Sequence, residues 1–193
     1  LKSKGFNTLY CESGAHVQMG GEAGFVLVGG PYLNLTNSAA LLEAEKAGLS
    51  AAVLSPEGKL GQLSAVVRKS GIPCGIYAYG RMALMALRNC PVRAQIGCRQ
   101  CGGKGFLTDR TQTRFPIRCW KEDILSGENA VSYLLNSLPL SMTDKQQELV
   151  GFDFVLLDFT TESSREVSEI LDCWKQQRPL REYTRGLYMR GVM

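Results

Sequence analysis

The chain has 193 residues, 45% of them hydrophobic, with 21% charged residues and a net charge of +4. That length and balance suit one ordinary soluble domain and exclude collagen-like, low-complexity and disulfide-stapled miniprotein classes. No apolar run reaches membrane-spanning length or resembles a secretory leader, and an odd set of seven cysteines points to a reducing, cytoplasmic setting.

In chain order, FNTLYC (6–11) reads as a strand, followed by a glycine-rich loop and a second strand over GFVLVGGPYLNL (24–35). SAALLEAEKAG (38–48) has the helical period, with Asn37 or Ser38 as its cap and Gly48 as its stop. SAAVLS (50–55) is the next strand, KLGQLSAVVRKSG (59–71) the next helix and IPCGIYAYGR (72–81) the next strand. From Cys90 to Cys119 the helical period disappears. GFLTD and RFPIRC read as a hairpin around the turn at 110–113, which sets Cys119 opposite Gly103 and so next to Cys101. NAVSYLLNS (129–137) is then a strand, SMTDKQQELVG (141–151) a short helix and FDFVLLDFT (152–160) a buried strand. SSREVSEILDCWKQQ (163–177) is a helix with Val167, Ile170, Leu171 and Trp174 on one face. The tail, 182–193, is aromatic and basic.

Alternating strands and helices predict an α/β fold with a parallel sheet, either doubly wound or part of a (β/α)8 barrel. No glycine-rich nucleotide fingerprint follows a strand, so a dinucleotide site is not expected. The chain enters directly into a structured pattern at Leu1, as expected of one partial barrel domain (1–193) within a longer protein. A barrel cut open exposes strand edges, so a homodimer of this piece is a further expectation.

Cys90, Cys98, Cys101 and Cys119 fall in a cysteine-rich insertion spanning 88–121. Four thiolates on short loops suggest a metal centre. Only Cys98 and Cys101 form a CxxC pair, whereas structural zinc sites usually show two, and Cys90 is followed by a proline as cluster ligands often are. Iron–sulfur, zinc and free thiols therefore all stay open. Cys11, Cys74 and Cys173 read as core residues.

The same segment holds eight basic residues (Arg88, Arg93, Arg99, Lys104, Arg110, Arg114, Arg118 and Lys121) against Asp109, a net +7, leaving −3 for the rest. Basic charge around a cofactor site suggests an anionic partner, RNA foremost; the plain alternative is a solvated face. His16 is the single histidine, so HExxH chemistry is absent, and it reads as a loop or packing residue. Glu57 and Asp158 stand near the C-terminal ends of predicted strands, the catalytic rim of a barrel. Arg81, Asp109 and Arg110 complete the catalytic candidates, although Asp109 and Arg110 also suit an ordinary turn.

The runs YGRMALM, NCPVR, CGGKGFLTDR, FPIRC and LLNSLPLSM resemble the peptidase U32 family of collagenase-like proteins, and LNLTNSAAL and LSPE resemble its preceding barrel segments. FTTESSREV and YTRGLYMRGVM are similar to the long multi-domain bacterial members. The resemblance covers nearly the whole chain and implies the C-terminal part of a (β/α)8 TIM-type domain with further domains beyond it. It implies peptidase activity by name. By its characterised relatives it implies prephenate-dependent 5-hydroxylation of a pyrimidine in transfer or ribosomal RNA, or a role in ubiquinone biosynthesis. It also implies a 4Fe-4S cluster. Cys90 and Cys119 match cluster ligands, with Cys98 or Cys101 matching a third. In several relatives the last ligand falls where this chain has Ser141, which makes joint ligation by Cys98 and Cys101 the expectation here.

Overall fold

The computed structural model describes residues 2–119 and 131–190. The end of the insertion (120–121), the start of the strand expected at 129 and the last three residues of the tail lie outside them.

Five strands form a parallel sheet: β1 (Thr8–Cys11), β2 (Val26–Gly29), β3 (Leu49–Val53), β4 (Cys74–Gly80) and β10 (Phe154–Asp158). Their spatial order is their chain order, each new strand joining the same side of the last. A doubly wound sheet must reverse direction partway, so this order excludes it. The sheet is curled into a half-barrel, and β9 (Leu140–Ser141) adds one short antiparallel pairing to β4.

The first three crossovers are helical, and the one from β4 to β10 runs through the second sheet. α2 (Ser38–Lys46) begins where the Asn37 side chain accepts from the Ala40 amide at 2.9 Å and stops at Gly48, whose φ is +102°. α3 (Leu60–Val67) buries Leu60, Leu63 and Val66 against the sheet. Fully buried leucines such as Leu27, Leu41 and Leu63 each contribute about 1.5–3 kcal/mol of transfer free energy. α6 (Ser164–Lys175) starts at a reciprocal cap between Ser163 and Glu166.

Two readings of the sequence need correction. The glycine-rich stretch after β1 is not a loop but α1 (Gly14–Glu22). A Cβ at Gly20 would lie 2.6 Å from Leu9 and 2.7 Å from Leu27, so glycine there allows close helix–sheet packing rather than chain reversal. Residues 141–151 are not an α-helix: they hold β9 and a single 3-10 turn, Gln146–Leu149. Long-range bonds override local propensity there, because Arg185 grips both Asp144 carboxylate oxygens at 2.7 and 2.8 Å and the Ser141 carbonyl at 2.6 Å.

The insertion's hairpin joins the strands that flank it in a second, antiparallel sheet, in the order β5 (Ala83–Leu87), β8 (Ser132–Leu135), β7 (Arg114–Cys119), β6 (Lys104–Thr108). Its hairpin has the expected register, with Lys104 opposite Arg118 and Thr108 opposite Arg114. The segment before it is not free of helix, however: α4 (Pro91–Ile96) and α5 (Cys98–Cys101) are one or two turns each, too short for a sequence period to reveal. Among the described residues no helix is long and apolar enough to cross a membrane.

Candidate active site and cysteine corner

The parallel strands end on one rim, and the residues just past them surround a cavity of about 570 Å³ roofed by the antiparallel sheet. Glu12 follows β1, Tyr32 follows β2, Arg81 follows β4, and Asp158 and Thr160 end and follow β10. Met85, Arg118 and Tyr133 close it from above. This is the end of a parallel α/β sheet at which ligands bind.

The polar groups of the cavity are held in place. Glu12 takes the Tyr10 hydroxyl and the Tyr32 amide, in a space left by Gly30, where a Cβ would lie 2.5 Å from the carboxylate. Burial raises the Glu12 carboxyl above its ordinary value, with repulsion from Asp158 adding to it, against those two hydrogen bonds and His16. Asp158 is raised too, by burial first and then by Glu162, even though the Tyr77 hydroxyl donates to it at 3.0 Å. Arg81 donates through Nη1 to the carbonyls of Asn136 (3.0 Å) and Ser137. Arg118 donates from Nε to the Thr160 carbonyl at 2.9 Å, tying the insertion to the rim.

No protein-family model, curated protein or solved structure matches this chain. Its chemistry must be argued from its own residues.

Of the residues singled out from sequence, Arg81 and Asp158 meet in the cavity. Glu57 does not: it is exposed in the turn after β3, where its amide donates to Ser55 Oγ at 3.4 Å. Asp109 and Arg110 sit on the exposed hairpin turn. Asp109 Oδ1 accepts from the Thr111 amide, the Thr111 hydroxyl and the Thr113 amide at 2.7–2.9 Å, so its work is to close the turn. His16 lines the cavity, but its Nδ1 accepts from the Glu12 amide at 3.2 Å. The Ser13 hydroxyl accepts from the His16 backbone amide, as a helix cap does. Ser13 and His16 are thus not joined as nucleophile and base. Glu12, Tyr32 and Thr160 escaped the sequence reading, although each lies just beyond a strand end, and Arg118 entered it only as part of the basic segment.

Cys90, Cys101 and Cys119 lie around one end of the antiparallel sheet, with Cys98 one helical turn from Cys101. The Cys119 amide donates to the Gly103 carbonyl at 3.0 Å, as the hairpin register requires. Cys101 is two residues earlier, and its sulfur accepts from the Gly103 amide at 3.4 Å. The backbone bends around this pair through Gly97, Gly102 and Gly103, with φ of +74°, +59° and +75°. Across the sheet Cys119 pairs with Ser132, which lies beside Cys90 and whose hydroxyl donates to the Leu87 carbonyl at 3.3 Å. α4, which carries Cys90 at its start, packs its Val92 where a Cβ at Gly105 would be 2.3 Å away. Burial alone would raise the Cys90 thiol. The Arg93 and Val92 amides, the Ser132 hydroxyl and the Arg93 charge outweigh it and hold the thiol below its ordinary value. Amide donors on sulfur and a lowered thiol favour the thiolate, the form that ligates metal.

The donor chemistry therefore fits a thiolate-bound centre. The side chains are not closed around one: among the described residues, no three His, Cys, Asp or Glu groups are disposed to hold an ion. None of the four cysteines is in a disulfide, and all four are partly exposed. Ser141 lies elsewhere, buried in β9, its hydroxyl 3.2 Å from that of Thr143.

The basic hairpin presents one further feature. Phe106 is 51% exposed, and the Arg114 guanidinium lies 3.5 Å from its ring centroid. A stacked aromatic–arginine pair on an exposed strand is a suitable platform for nucleic-acid bases.

Proposed function

We propose that this chain belongs to the peptidase U32 family as the C-terminal part of a (β/α)8-type domain, and that it acts on RNA. The proposed activity is prephenate-dependent 5-hydroxylation of a pyrimidine in ribosomal or transfer RNA. What supports this reading is the placement of Cys90, Cys101 and Cys119 around one end of a basic antiparallel sheet that also roofs the rim cavity, with Cys98 one helical turn from Cys101. Cys90, Cys98, Cys101 and Cys119 would hold a 4Fe-4S cluster, with zinc as the competing occupant. Such a cluster supplies one-electron chemistry or a Lewis-acidic iron when bound. The chain's own residues do the rest: Phe106 and Arg114 receive RNA on the hairpin, Arg118 couples that sheet to the rim, and Glu12 and Asp158 are carboxyls raised toward neutrality that can hold or release a proton in the cavity.

The test is deletion of the gene followed by nucleoside analysis of total RNA, with rescue by the wild type and by a Cys119→Ser copy. Loss of one 5-hydroxypyrimidine, rescued by the wild type alone, supports the reading. An unchanged nucleoside profile refutes it. The peptidase reading gains no support from Ser13 and His16, which are joined only as a helix cap.

A further inference from the structure

The roof of the rim cavity is built as a separate body. Among the described residues, the buried apolar cluster of the parallel sheet takes in none from β5, β6, β7 or β8, and Ile117 and Leu135 are buried outside it. No described strand of one sheet pairs with a strand of the other. Between the two sheets lies the cavity of about 570 Å³, where a shared core would otherwise bind them. Bodies without a large apolar interface between them move relative to one another by default.

The chain crosses between the sheets at a narrow neck. One side is residues 81–82, leaving β4 at Gly80, whose φ is +146°; the other is residues 136–139, leading from β8 into β9. The two sides are bonded to each other. The Asn136 amide donates to the Met82 carbonyl at 2.8 Å, and Arg81 Nη1 donates to the Asn136 and Ser137 carbonyls. A two-stranded neck braced in this way bends as one unit, as a hinge of a few element-terminal residues does. The Tyr32 hydroxyl accepts from the Ala83 amide at 2.7 Å, but Ala83 adjoins the neck and travels little. Arg118 stands two strands further out, on β7, and its Nε donates to the Thr160 carbonyl at 2.9 Å. That bond is the one a hinge motion must break.

We propose that the antiparallel sheet is a hinged lid over the rim cavity, turning about the neck at 80–82 and 136–139, with the Arg118–Thr160 bond as its latch. Breaking the latch opens the cavity between β7 and the end of β10, and remaking it shuts a ligand in. The role as a lid rests on reading the cavity as the substrate site. The motion itself is measured on the chain without ligand or metal, so an unchanged nucleoside profile and a rigid roof are separate results.

The experiment uses the intact chain labelled with ¹³C-methyl methionine and leucine, with microsecond-to-millisecond exchange read by relaxation dispersion. Met85, Leu107 and Leu134 report on β5, β6 and β8, and the fully buried Leu63 and Met142 report on the parallel-sheet core. The expected result is one exchange rate shared by the first three methyl groups and absent from the other two. Arg118→Leu should raise the open population about tenfold, the equivalent of one charge-assisted hydrogen bond. Arg118→Lys, which keeps the charge and loses the Nε donor, should raise it by less. Arg110→Leu, on the exposed hairpin turn, should leave it unchanged. Different rates at Met85, Leu107 and Leu134 overturn the proposal, because they report local breathing rather than a lid. So does the absence of shared exchange in both the wild type and Arg118→Leu while Leu63 and Met142 show a folded core, and so do equal open populations in Arg118→Leu and Arg110→Leu.

Discussion

Gly80→Ala tests how the rim is built. Gly80 ends β4 immediately before Arg81 and pairs with Asp158, so it sets the approach of two cavity residues. Its φ is +146°, a conformation essentially reserved for glycine, and an L-residue there costs about 1–3 kcal/mol. A Cβ would also fall 2.1 Å from the Tyr77 hydroxyl and 2.7 Å from the Asp158 carbonyl. Displacing Tyr77 breaks its bond to Asp158 and leaves a buried partner unsatisfied, about 1–3 kcal/mol more. The expected total is about 2–6 kcal/mol, a large part of the ~5–15 kcal/mol typical of a domain. Urea unfolding measures it, with Gly151→Ala as control: Gly151 has φ of +106° and nothing within 4 Å of where a methyl group would sit, so it reports strain alone. If the two variants lose the same stability, the crowding argument is refuted.

Asp158→Asn should flatten the pH dependence of stability. The folded carboxyl is raised above its ordinary value of 3.8, so the folded state keeps its proton longer than the unfolded chain does. Stability then falls as pH rises from about that value through the raised one, and the penalty persists at neutral pH. The variant should be at least as stable as the wild type at pH 7 yet inactive; a less stable variant with an unchanged slope would contradict the assignment. Arg185→Leu should cost about 1–3 kcal/mol in thermal or urea unfolding, because Arg185 spans the Asp144 carboxylate through Nη2 and the Ser141 carbonyl through Nη1, and the ion pair is only 19% and 18% exposed. Arg185→Lys should restore only part of that. Phe106→Ala should weaken single-stranded RNA binding about 5–150-fold in a fluorescence titration at fixed salt, from a stacking loss of ~1–3 kcal/mol, without changing stability by more than a few tenths of a kcal/mol.

The parts of this fold that local chemistry dictates are readable from the chain alone. α2 has a side-chain cap at Asn37 and a left-handed glycine stop at Gly48, and the period-two pairing from Lys104 to Arg118 follows from a turn that Asp109 closes. What escapes depends on contacts far along the chain. α1 looks like a loop because glycines that admit Leu9 and Leu27 lower its helical signal. Residues 141–151 look helical until Arg185 takes their polar groups. The cavity draws on residues from Glu12 to Thr160, and the only local sign of Glu12 is its place just after an apolar strand. The same rule picks out Asp158, which lines the cavity, and Glu57, which does not, because β3 ends on a turn that leads Glu57 out to solvent. The hairpin register brings Cys119 beside Gly103, two residues from Cys101, but spacing cannot orient the thiols.

The most direct measurement is iron, acid-labile sulfide and zinc per chain after anaerobic preparation and reconstitution, on the wild type and on Cys119→Ser. A 4Fe-4S centre predicts about four irons and about four sulfides per chain, falling sharply in the variant. Stoichiometric zinc without sulfide, or no metal in folded protein, would contradict it.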